Sequence, residues 1–379
     1  MKLFDVYPLY DVTPTRAKDV YVYDDKGIEY LDLYGGHAVI SIGHGHDLYL
    51  EFLTNQMREI GFYSNAIKNP LQNELANAIG EQSLCHDYQL FMCSSGAEAN
   101  ENALKLASFV TGKKRIIAFK NAFHGRTSAA VAATDNASIN APLNEQQKVT
   151  FLPFNDEKVL EIELKKGDVC AVIFEAIQGV GGLDEPLEGF VYAMDKLCKA
   201  NNTCLIADEV QSGFSRTGTF FAYQKYNIKP HIIAMAKGMG NGFPVGGILV
   251  NSSIKAKYGM LGTTFGGNHL ACTASLAVLK VLKKQRLQEN AENLGKYFKE
   301  NAKNIPNVKK IKGRGLMLGL EFDFEVSSLR KELIYNKHIF TGGSSNKNLL
   351  RILPPLTLQK KHFDIFFQRL KEALKAINA

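Results

Sequence analysis

The sequence predicts an α/β protein, with a mostly parallel sheet in a large domain and a smaller α+β domain. Between about residues 90 and 250, short apolar or β-branched runs alternate with segments of helix length, which is typical of a parallel sheet covered by helices. The C-terminal portion mixes helical stripes with two strand-like runs, as an α+β domain does. The 379 residues are 45% hydrophobic, which is enough for two packed cores.

The individual elements follow from apolar runs and their spacing. Near the N-terminus, strands are predicted at VYVYD (20–24) and IEYLDL (28–33). The predicted sheet strands are RIIAF (115–119), KVTFLPF (148–154), VCAVIFE (169–175), TCLIADE (203–209) and IIAMA (232–236), with a helix at 191–201. Helical stripes at 294–299 and 363–377 accompany predicted strands at 313–322 and 349–353. We therefore expect an N-terminal segment (1–45) that joins the small domain, a large domain (46–255) and a C-terminal small domain (256–379).

The charge pattern argues against a nucleic-acid partner. The 45 basic and 38 acidic residues give a net charge of +7, but the positive charge is scattered. The densest basic runs, 280–286 and 309–314, are expected to be solvated helix faces or loop edges. The N-terminus lacks the apolar core of a signal peptide, and no stretch approaches the roughly 20 apolar residues of a membrane span. We expect a cytoplasmic protein that binds no membrane.

The cysteines and histidines indicate neither a disulfide framework nor a metal site. The six cysteines form no C-x-x-C pair, so reduced and mostly buried thiols are expected. His44-Gly45-His46 has no carboxylate or cysteine at ligand spacing and is expected to form a turn.

Charged residues stand at the ends of two predicted buried strands. Asp208 and Glu209 end TCLIADE, and Lys237 follows IIAMA. Ligands of parallel sheets bind beyond the carboxyl ends of the strands. A helix N-cap or a surface salt bridge would explain Asp208 if it stood alone. However, a desolvated lysine attacks carbonyl carbons, and a carboxylate is the usual partner of the pyridinium nitrogen of pyridoxal phosphate.

The stretch CSSGAEANENALKLASFV (93–110) predicts a phosphate-binding helix N-terminus. Ser94, Ser95 and Gly96 lead directly into a helix, so that free N–H groups and the helix dipole would face an anion. The same triplet is also a common helix cap. Phe123, which follows RIIAF, offers an aromatic face for a planar ring, although a core residue would explain it equally well if it stood alone. Together with Asp208 and Lys237, these features predict one planar, phosphorylated, pyridine-containing ligand.

A series of motifs runs in order over nearly the whole chain. They are YLDLYGGHAVISIGHGH (30–46), SSGAEANE, FKNAFHGRT, IFEAIQGVGG, LIADEVQSGFSRTG, AKGMGNGFPVGG, TTFGGNHLAC, GRGLMLGLEF and RILPPLTL. Through them the chain resembles class-III (ω-) aminotransferases, in particular the acetylornithine branch. The resemblance implies the fold-type-I architecture, with a seven-stranded, mostly parallel sheet in the large domain. It also implies pyridoxal phosphate as cofactor and a homodimer with shared active sites.

The resemblance implies a role for each matching residue. Lys237 would form the Schiff base with the cofactor and move the substrate proton, and Asp208 would keep the ring nitrogen protonated. Phe123 and Val210 would enclose the two faces of the cofactor ring, and Gln211 would approach its phenolic oxygen. The residues implied to bind the phosphate are Ser95, Gly96, Ala97 and the partner subunit's Thr264. Near the substrate, Thr263 is implied, and Arg126 would bind the α-carboxylate, a task that suits its planar fork.

Three positions depart from the family pattern. Ala97 stands where a threonine is usual, so one hydroxyl for the phosphate is missing. Val180 replaces a glutamate that pairs with the arginine represented here by Arg351, so Arg351 should meet a carboxylate of the ligand. The acceptor 2-oxoglutarate has two carboxylates, and an N-succinylornithine donor would also fit. His37 replaces an aliphatic residue, and is either an added polar contact or a packed, hydrogen-bonded histidine.

The expected function is transfer of the terminal amino group of N2-acetylornithine, or of another N-acylornithine, to 2-oxoglutarate, giving the semialdehyde and glutamate. The setting would be arginine (or lysine) biosynthesis. N-succinylornithine is the nearest alternative donor, followed by free ornithine and 4-aminobutyrate, which Val180 disfavours. A racemase, decarboxylase or aminomutase is disfavoured by Arg126. A non-catalytic cofactor sensor would not need both Lys237 and a complete second-substrate site.

Overall fold

The computed structural model describes residues 1–377 and contains three β-sheets with helices packed around them. The strands are β1 (Pro14–Lys18), β2 (Tyr21–Asp24), β3 (Glu29–Asp32), β4 (Tyr88–Cys93), β5 (Arg115–Phe119), β6 (Val149–Leu152), β7 (Val169–Glu175), β8 (Cys204–Asp208), β9 (Ile232–Met235), β10 (Gly246–Asn251), β11 (Val308–Arg314), β12 (Met317–Phe322), β13 (Ile339–Phe340) and β14 (Leu349–Ile352).

The helices include short and long segments. They are α1 (Gly35–Ala38), α2 (Asp47–Glu59), α3 (Pro70–Ser83), α4 (Gly96–Thr111), α5 (Ser128–Ala132), α6 (Glu157–Lys165), α7 (Glu188–Ala200), α8 (His269–Lys284), α9 (Leu287–Ala302), α10 (Ser327–Tyr335) and α11 (Lys360–Ile377). Single 3₁₀ turns occur at Ala137–Ile139, Pro142–Asn144, Ala222–Tyr226 and Lys237–Met239. The predicted helices at 191–201, 294–299 and 363–377 correspond to α7, α9 and α11.

The largest sheet has seven strands in the order β4-β10-β9-β8-β7-β5-β6. The strands from β9 to β6 pair in parallel, and only β10 runs antiparallel to its two neighbours. The expected mostly parallel α/β sheet is therefore confirmed. The sequence does not predict β4 and β10. Polar Gln89 interrupts the apolar run of β4, and β10 begins with two glycines, which are poor strand formers.

Three central strands end at one level of this sheet. Every residue of β7, β8 and β9 is buried, because helices cover both faces. The register pairs Glu175 with Asp208 and Asp208 with Ala234, so that Lys237 follows only three residues beyond this level. Parallel pairing thus brings two carboxylates and a lysine to the same edge of the sheet.

The smaller sheets connect distant parts of the chain. One has the order β1-β2-β3-β13, so that the N-terminal strands pair with a strand from the C-terminal third. The other has the order β11-β12-β14. The prediction of a single strand over 313–322 is wrong, because the chain turns between β11 and β12. Gly315 has φ +54°, and a Cβ there would lie 2.5 Å from the carbonyl carbon of Thr217, so this turn requires glycine.

The two basic runs differ in their surroundings. Lys280, Lys283 and Lys284 are exposed on the last turns of α8, which confirms the expected solvated helix face. The run 309–314 instead forms β11, so the expectation of a helix face or loop edge is wrong there. Lys312 and Arg314 are largely buried on this strand and form ion pairs with Asp184, Glu185 and Glu321.

All six cysteines are buried and unpaired, as the sequence predicts. Within residues 1–377, no helix combines the length and the apolar character needed to cross a bilayer.

Candidate active site

A cavity of about 430 Å³ opens at the carboxyl ends of the central strands. It is lined by most of the residues that the sequence singles out: Ser95, Gly96, Ala97, Phe123, Arg126, Asp208, Val210, Gln211 and Lys237. This location agrees with the general rule that ligands of open α/β sheets bind beyond the carboxyl ends of the strands.

Lys237 lies at the floor of this cavity, two residues after β9. Its backbone is in the left-handed region, with φ +46°, and it begins a single 3₁₀ turn. Burial lowers the pKa of Lys237 below its ordinary value, although the nearby carboxylates of Asp208 and Glu175 act in the opposite direction. The lowered pKa makes a larger share of the amine available in its neutral, nucleophilic form.

Asp208 is held in one orientation by three donors. Its Oδ2 accepts from Asn100 Nδ2 at 2.7 Å and lies 2.7 Å from His124 Nδ1, while its Oδ1 accepts from the backbone N–H of Val210 at 3.0 Å. Asp208 is only 5% exposed. The carboxylate is therefore fixed and desolvated on the cavity wall, where it can face a ring nitrogen.

Glu209, the other acidic residue at the end of this strand, does not line the cavity. Its carboxylate accepts from the Ser212 hydroxyl and from the backbone N–H groups of Ala222 and Tyr223. Of the two neighbouring carboxylates, only Asp208 belongs to the candidate site, and Glu209 organises the following loop.

The predicted phosphate turn leads from β4 into α4. Ser95 caps the helix by accepting from Glu98 N, and Gly96 is the first helical residue. A Cβ on Gly96 would lie 2.5 Å from Val210 Cγ1, so only glycine lets the helix start this close to the strand-end loop. The first turn of α4 can present backbone N–H groups to an anion, as the sequence predicts.

Apolar and amide side chains form another part of the cavity wall. Phe123 and Val210 line it, in agreement with a flat aromatic ligand between them. Gln211 Nε2 donates to the carbonyl oxygen of His37 at 3.1 Å, which fixes the amide beside the cavity. The His37 ring contacts the Tyr34 hydroxyl, so it is a hydrogen-bonded histidine close to the site.

Arg351 approaches the same cavity from β14. It is 3% exposed, and its Nη1 donates to the carbonyl oxygen of Gly179 at 2.7 Å and to Gln211 Oε1 at 3.4 Å. Its Nε donates to the carbonyl oxygen of Gly343. Val180, which follows Gly179, lines the cavity with an apolar side chain.

Three further residues belong to the site and have no role in the sequence-based prediction. His124 and Asn100 contact Asp208, and Glu175 accepts from Phe123 N at 3.0 Å and Gly179 N at 2.7 Å. Burial raises the pKa of Glu175 above its ordinary value. A signal was present for two of them: Glu175 ends a buried strand as Asp208 does, and Asn100 is a polar residue on the buried stripe of α4.

Two predicted site residues lie away from the cavity of their own chain. Among the residues that line it in the described structure, neither Thr263 nor Thr264 occurs. Thr264 is exposed, and the Thr263 hydroxyl accepts from the Gly266 N–H. Arg126 lines the cavity and is exposed. Over residues 1–377, no group of three or more His, Cys, Asp or Glu side chains is arranged to hold a metal ion.

The geometry suits one kind of ligand. A helix N-terminus for an anion, an oriented carboxylate, two apolar walls and a desolvated amine converge on one cavity. These features match the phosphate, the ring nitrogen, the ring faces and the carbonyl of a phosphorylated pyridine aldehyde.

Comparisons with known proteins agree with this arrangement. The family model Aminotransferase class-III matches residues 6–374. The chain is 38% identical to acetylornithine aminotransferase of Bacillus subtilis (strain 168), covering 98% of this chain and 97% of that protein. It is also 38% identical to acetylornithine aminotransferase of Aquifex aeolicus (strain VF5), covering 98% and 99%.

A solved structure shows the same fold at lower identity. Ornithine aminotransferase of Toxoplasma gondii, described with partial occupancy of pyridoxal phosphate at its active site, superposes with a TM-score of 0.90 at 27% identity. The match covers 98% of this chain and 92% of that one. Since the family model spans nearly all of the chain, this protein belongs to the class-III aminotransferases.

Proposed function

We propose that the protein transfers the terminal amino group of N2-acetylornithine to 2-oxoglutarate, giving N-acetylglutamate semialdehyde and glutamate, in arginine biosynthesis. The observation that carries the proposal is Lys237, desolvated beside the oriented carboxylate of Asp208 in a cavity that Arg126 lines. Arg351 donates to Gly179 and Gln211, two other residues of the cavity wall. The curated relatives at 38% identity are acetylornithine aminotransferases, which supports this donor.

Pyridoxal phosphate is the cofactor of this reaction, and the site fits it. Ser95, Gly96 and Ala97 would hold the phosphate at the N-terminus of α4, largely through backbone N–H groups, because Ala97 has no hydroxyl. Phe123 and Val210 would enclose the ring, and Gln211 would meet its phenolic oxygen. When bound, the cofactor supplies a carbonyl for the lysine and a ring that withdraws electrons from the substrate carbon.

The protein's own groups would then do three things. Asp208 keeps a proton on the ring nitrogen, because a fixed and desolvated carboxylate favours the positive charge opposite it. Lys237 holds the cofactor before the donor arrives and afterwards carries a proton to and from the substrate carbon. Arg126 binds the α-carboxylate of the donor, which directs the terminal amine toward Lys237.

The acceptor requires a second cation, and Arg351 supplies it. Its guanidinium is buried beside Gly179 and Gln211 and retains bonding capacity for a carboxylate of 2-oxoglutarate. The absence of a glutamate at Val180 favours N-succinylornithine as a second candidate donor, because its extra carboxylate would also neutralise a cation near the site.

We also propose a cytoplasmic homodimer. Thr264 is exposed and outside its own cavity, which supports the idea that it completes the phosphate site of the partner subunit. Large aromatic side chains are exposed near this segment: Phe62, Tyr63, Tyr258 and Phe265. An exposed apolar patch of this kind is typical of an interface. Six unpaired thiols suit a reducing compartment.

The proposed domain division is an N-terminal segment (1–45), a large cofactor domain (46–255) and a C-terminal small domain (256–379). The pairing of β3 with β13 supports the assignment of the N-terminal segment to the small domain.

Steady-state kinetics with 2-oxoglutarate tests the proposal. We expect kcat/KM for N2-acetylornithine to exceed that for free ornithine and 4-aminobutyrate. N-succinylornithine is measured in the same series. Lys237→Ala should lose activity, and wild type should be yellow and sensitive to borohydride. Colourless protein that borohydride does not affect, or equal use of free ornithine, would overturn the assignment.

A further inference from the structure

Arg126 is a cation on the cavity wall that carries no acidic partner. Its side chain lines the cavity and is exposed. Within residues 1–377, Arg126 forms no ion pair with a carboxylate, whereas three other arginines do: Arg115, Arg286 and Arg314. The direction in which the Arg126 guanidinium projects is therefore set chiefly by the backbone segment that carries it.

Gly125 places this segment directly on the first turn of α4. Its φ is +140°, and a Cβ there would lie 2.8 Å from Ala97 Cβ and 2.9 Å from Ala97 Cα. Only glycine lets the chain pass this close to the helix. The residue before Arg126 thus packs against the same helical turn that we propose to hold the cofactor phosphate.

On the other side of Arg126, the hydroxyl group of Thr127 ties the segment to α4. Thr127 Oγ1 donates to Glu101 Oε2 at 2.7 Å and lies 3.3 Å from the carbonyl oxygen of Ala97. A hydrogen bond from a hydroxyl to a carboxylate is stronger than one between neutral groups. Both residues that flank Arg126 are therefore fixed to α4.

The half-buried Glu101 holds the rest of this segment as well. Its carboxylate accepts from the backbone N–H groups of Ala129 at 2.9 Å and Ala130 at 3.0 Å, at the start of α5. In the described structure, all the hydrogen bonds that the Glu101 carboxylate accepts come from residues 127–130. Glu101 therefore orders the segment that follows Arg126.

We propose that Glu101 and Thr127 are positioning residues that hold Arg126 in the orientation in which its guanidinium receives the α-carboxylate of the donor. The inference rests on the proposed function, in which Arg126 binds that carboxylate, and adds the two residues that act through it. Neither Glu101 nor Thr127 lines the cavity of the described structure, so both influence the donor only by way of Arg126.

Two donors that differ only in the carboxylate report on this role. N-acetylputrescine is N2-acetylornithine without its α-carboxylate, so the ratio of kcat/KM for N2-acetylornithine to that for N-acetylputrescine measures what the carboxylate contributes. Thr127→Val removes the hydroxyl at nearly constant size, and Thr127→Ser retains it. We expect the ratio to fall at least about tenfold in Thr127→Val and to stay within about twofold of wild type in Thr127→Ser, because a misplaced binding group is costly.

Glu101→Gln keeps the shape of the side chain but removes its charge and one acceptor oxygen, so the ratio should fall in this variant too. Variants that lower kcat/KM for both donors by the same factor would overturn the inference, because the two residues would then support only the fold. Use of N2-acetylornithine with an unchanged ratio in Thr127→Val and Glu101→Gln would overturn the inference and leave the proposed function intact. A wild type that does not use N2-acetylornithine would overturn both.

A double-mutant cycle tests whether Thr127 acts through Arg126. In an Arg126→Gln background the charged contact with the carboxylate is already lost, so adding Thr127→Val should change the ratio by less than about twofold. A further loss of about tenfold in that background would overturn the inference, because Thr127 would then act on the donor by another route.

Binding of an unreactive analogue gives a readout that does not depend on turnover. 2-Acetamidopentanoate has the acetylated amine and the carboxylate of N2-acetylornithine but no terminal amine, and 2-acetamidopentanamide is its neutral counterpart. Calorimetry with the cofactor-loaded protein should show the carboxylate binding at least about tenfold more tightly than the amide to wild type and Thr127→Ser, with the preference lost in Thr127→Val. A preference that persists in Thr127→Val would overturn the inference.

Discussion

Asn100 donates to two buried acceptors at the centre of the site, and Asn100→Ala removes both bonds. Its Nδ2 lies 2.7 Å from Asp208 Oδ2 and 2.8 Å from the carbonyl oxygen of His124, and the residue is 1% exposed. A hydrogen bond to a charged group contributes about 1.5–3 kcal/mol and one between neutral groups about 0.5–1.5 kcal/mol. We therefore expect the free energy of unfolding to fall by about 2–4.5 kcal/mol.

Asn102→Ala is the matched control on the same helix. Asn102 Nδ2 donates to the carbonyl oxygen of Glu98 at 2.8 Å in a half-buried position, so its removal should cost less than about 1 kcal/mol. Both variants change asparagine to alanine inside α4, so the gain in helix propensity cancels. The assay is urea unfolding of cofactor-free protein, followed by far-UV circular dichroism. Stabilities of the two variants within about 0.5 kcal/mol would refute the reasoning.

The same variant should also release the cofactor more readily. Asp208 loses one of its three donors in Asn100→Ala, and the carboxylate that we propose faces the ring nitrogen is no longer held in one orientation. We expect the dissociation constant of pyridoxal phosphate to rise about tenfold, whereas Asn102→Ala should bind as wild type does.

Three further predictions concern the framework around the site. Burial raises the pKa of Glu209 to about 7, so the stability that its proton supplies is complete below about pH 4.5 and lost as the pH rises through 7. Glu209→Gln should weaken this dependence of the unfolding free energy on pH, measured by urea unfolding at several pH values. An unchanged pH dependence would contradict the raised pKa of Glu209. Arg216, 2% exposed, donates to carbonyl oxygens of Ile40, Leu316 and Pro354. Arg216→Met should lower the unfolding free energy by about 2–4 kcal/mol, against less than about 1 kcal/mol for the exposed Arg286→Met, and similar losses would refute this. Finally, a thiol reagent should modify none of the six buried cysteines rapidly until urea is added, and fast reaction of the native protein would contradict their burial.

Local sequence patterns were sufficient for the central strands and for much of the cavity. Continuous apolar runs predict β5, β7, β8 and β9, because strands buried on both faces carry no polar residues until they end. Asp208 and Lys237 were found by the same rule, since the first polar residue after such a run lies at the edge where ligands bind.

Other features required the folded structure, because their cause lies elsewhere in the chain. The turn at Gly315 depends on the close approach of Thr217, which is almost a hundred residues earlier. Asn100 and His124 have a role only because Asp208 lies against them. The surroundings of Arg351 depend on Gly179, Gln211 and Gly343, which three separate segments contribute.

The sequence by itself determined the α/β class, the family and part of the candidate site, because strand periodicity and motif order are local properties of the chain. Only the tertiary structure decided the pKa values of the site residues and the hydrogen bonds that orient them. Burial lowers the pKa of Lys237, and two side chains and a backbone N–H orient Asp208. Arg351 donates to the carbonyl oxygen of Gly179 and to Gln211 Oε1, which lie far from it in sequence. Desolvation and hydrogen bonding depend on groups brought together from distant segments, and for this reason only the folded chain specifies them.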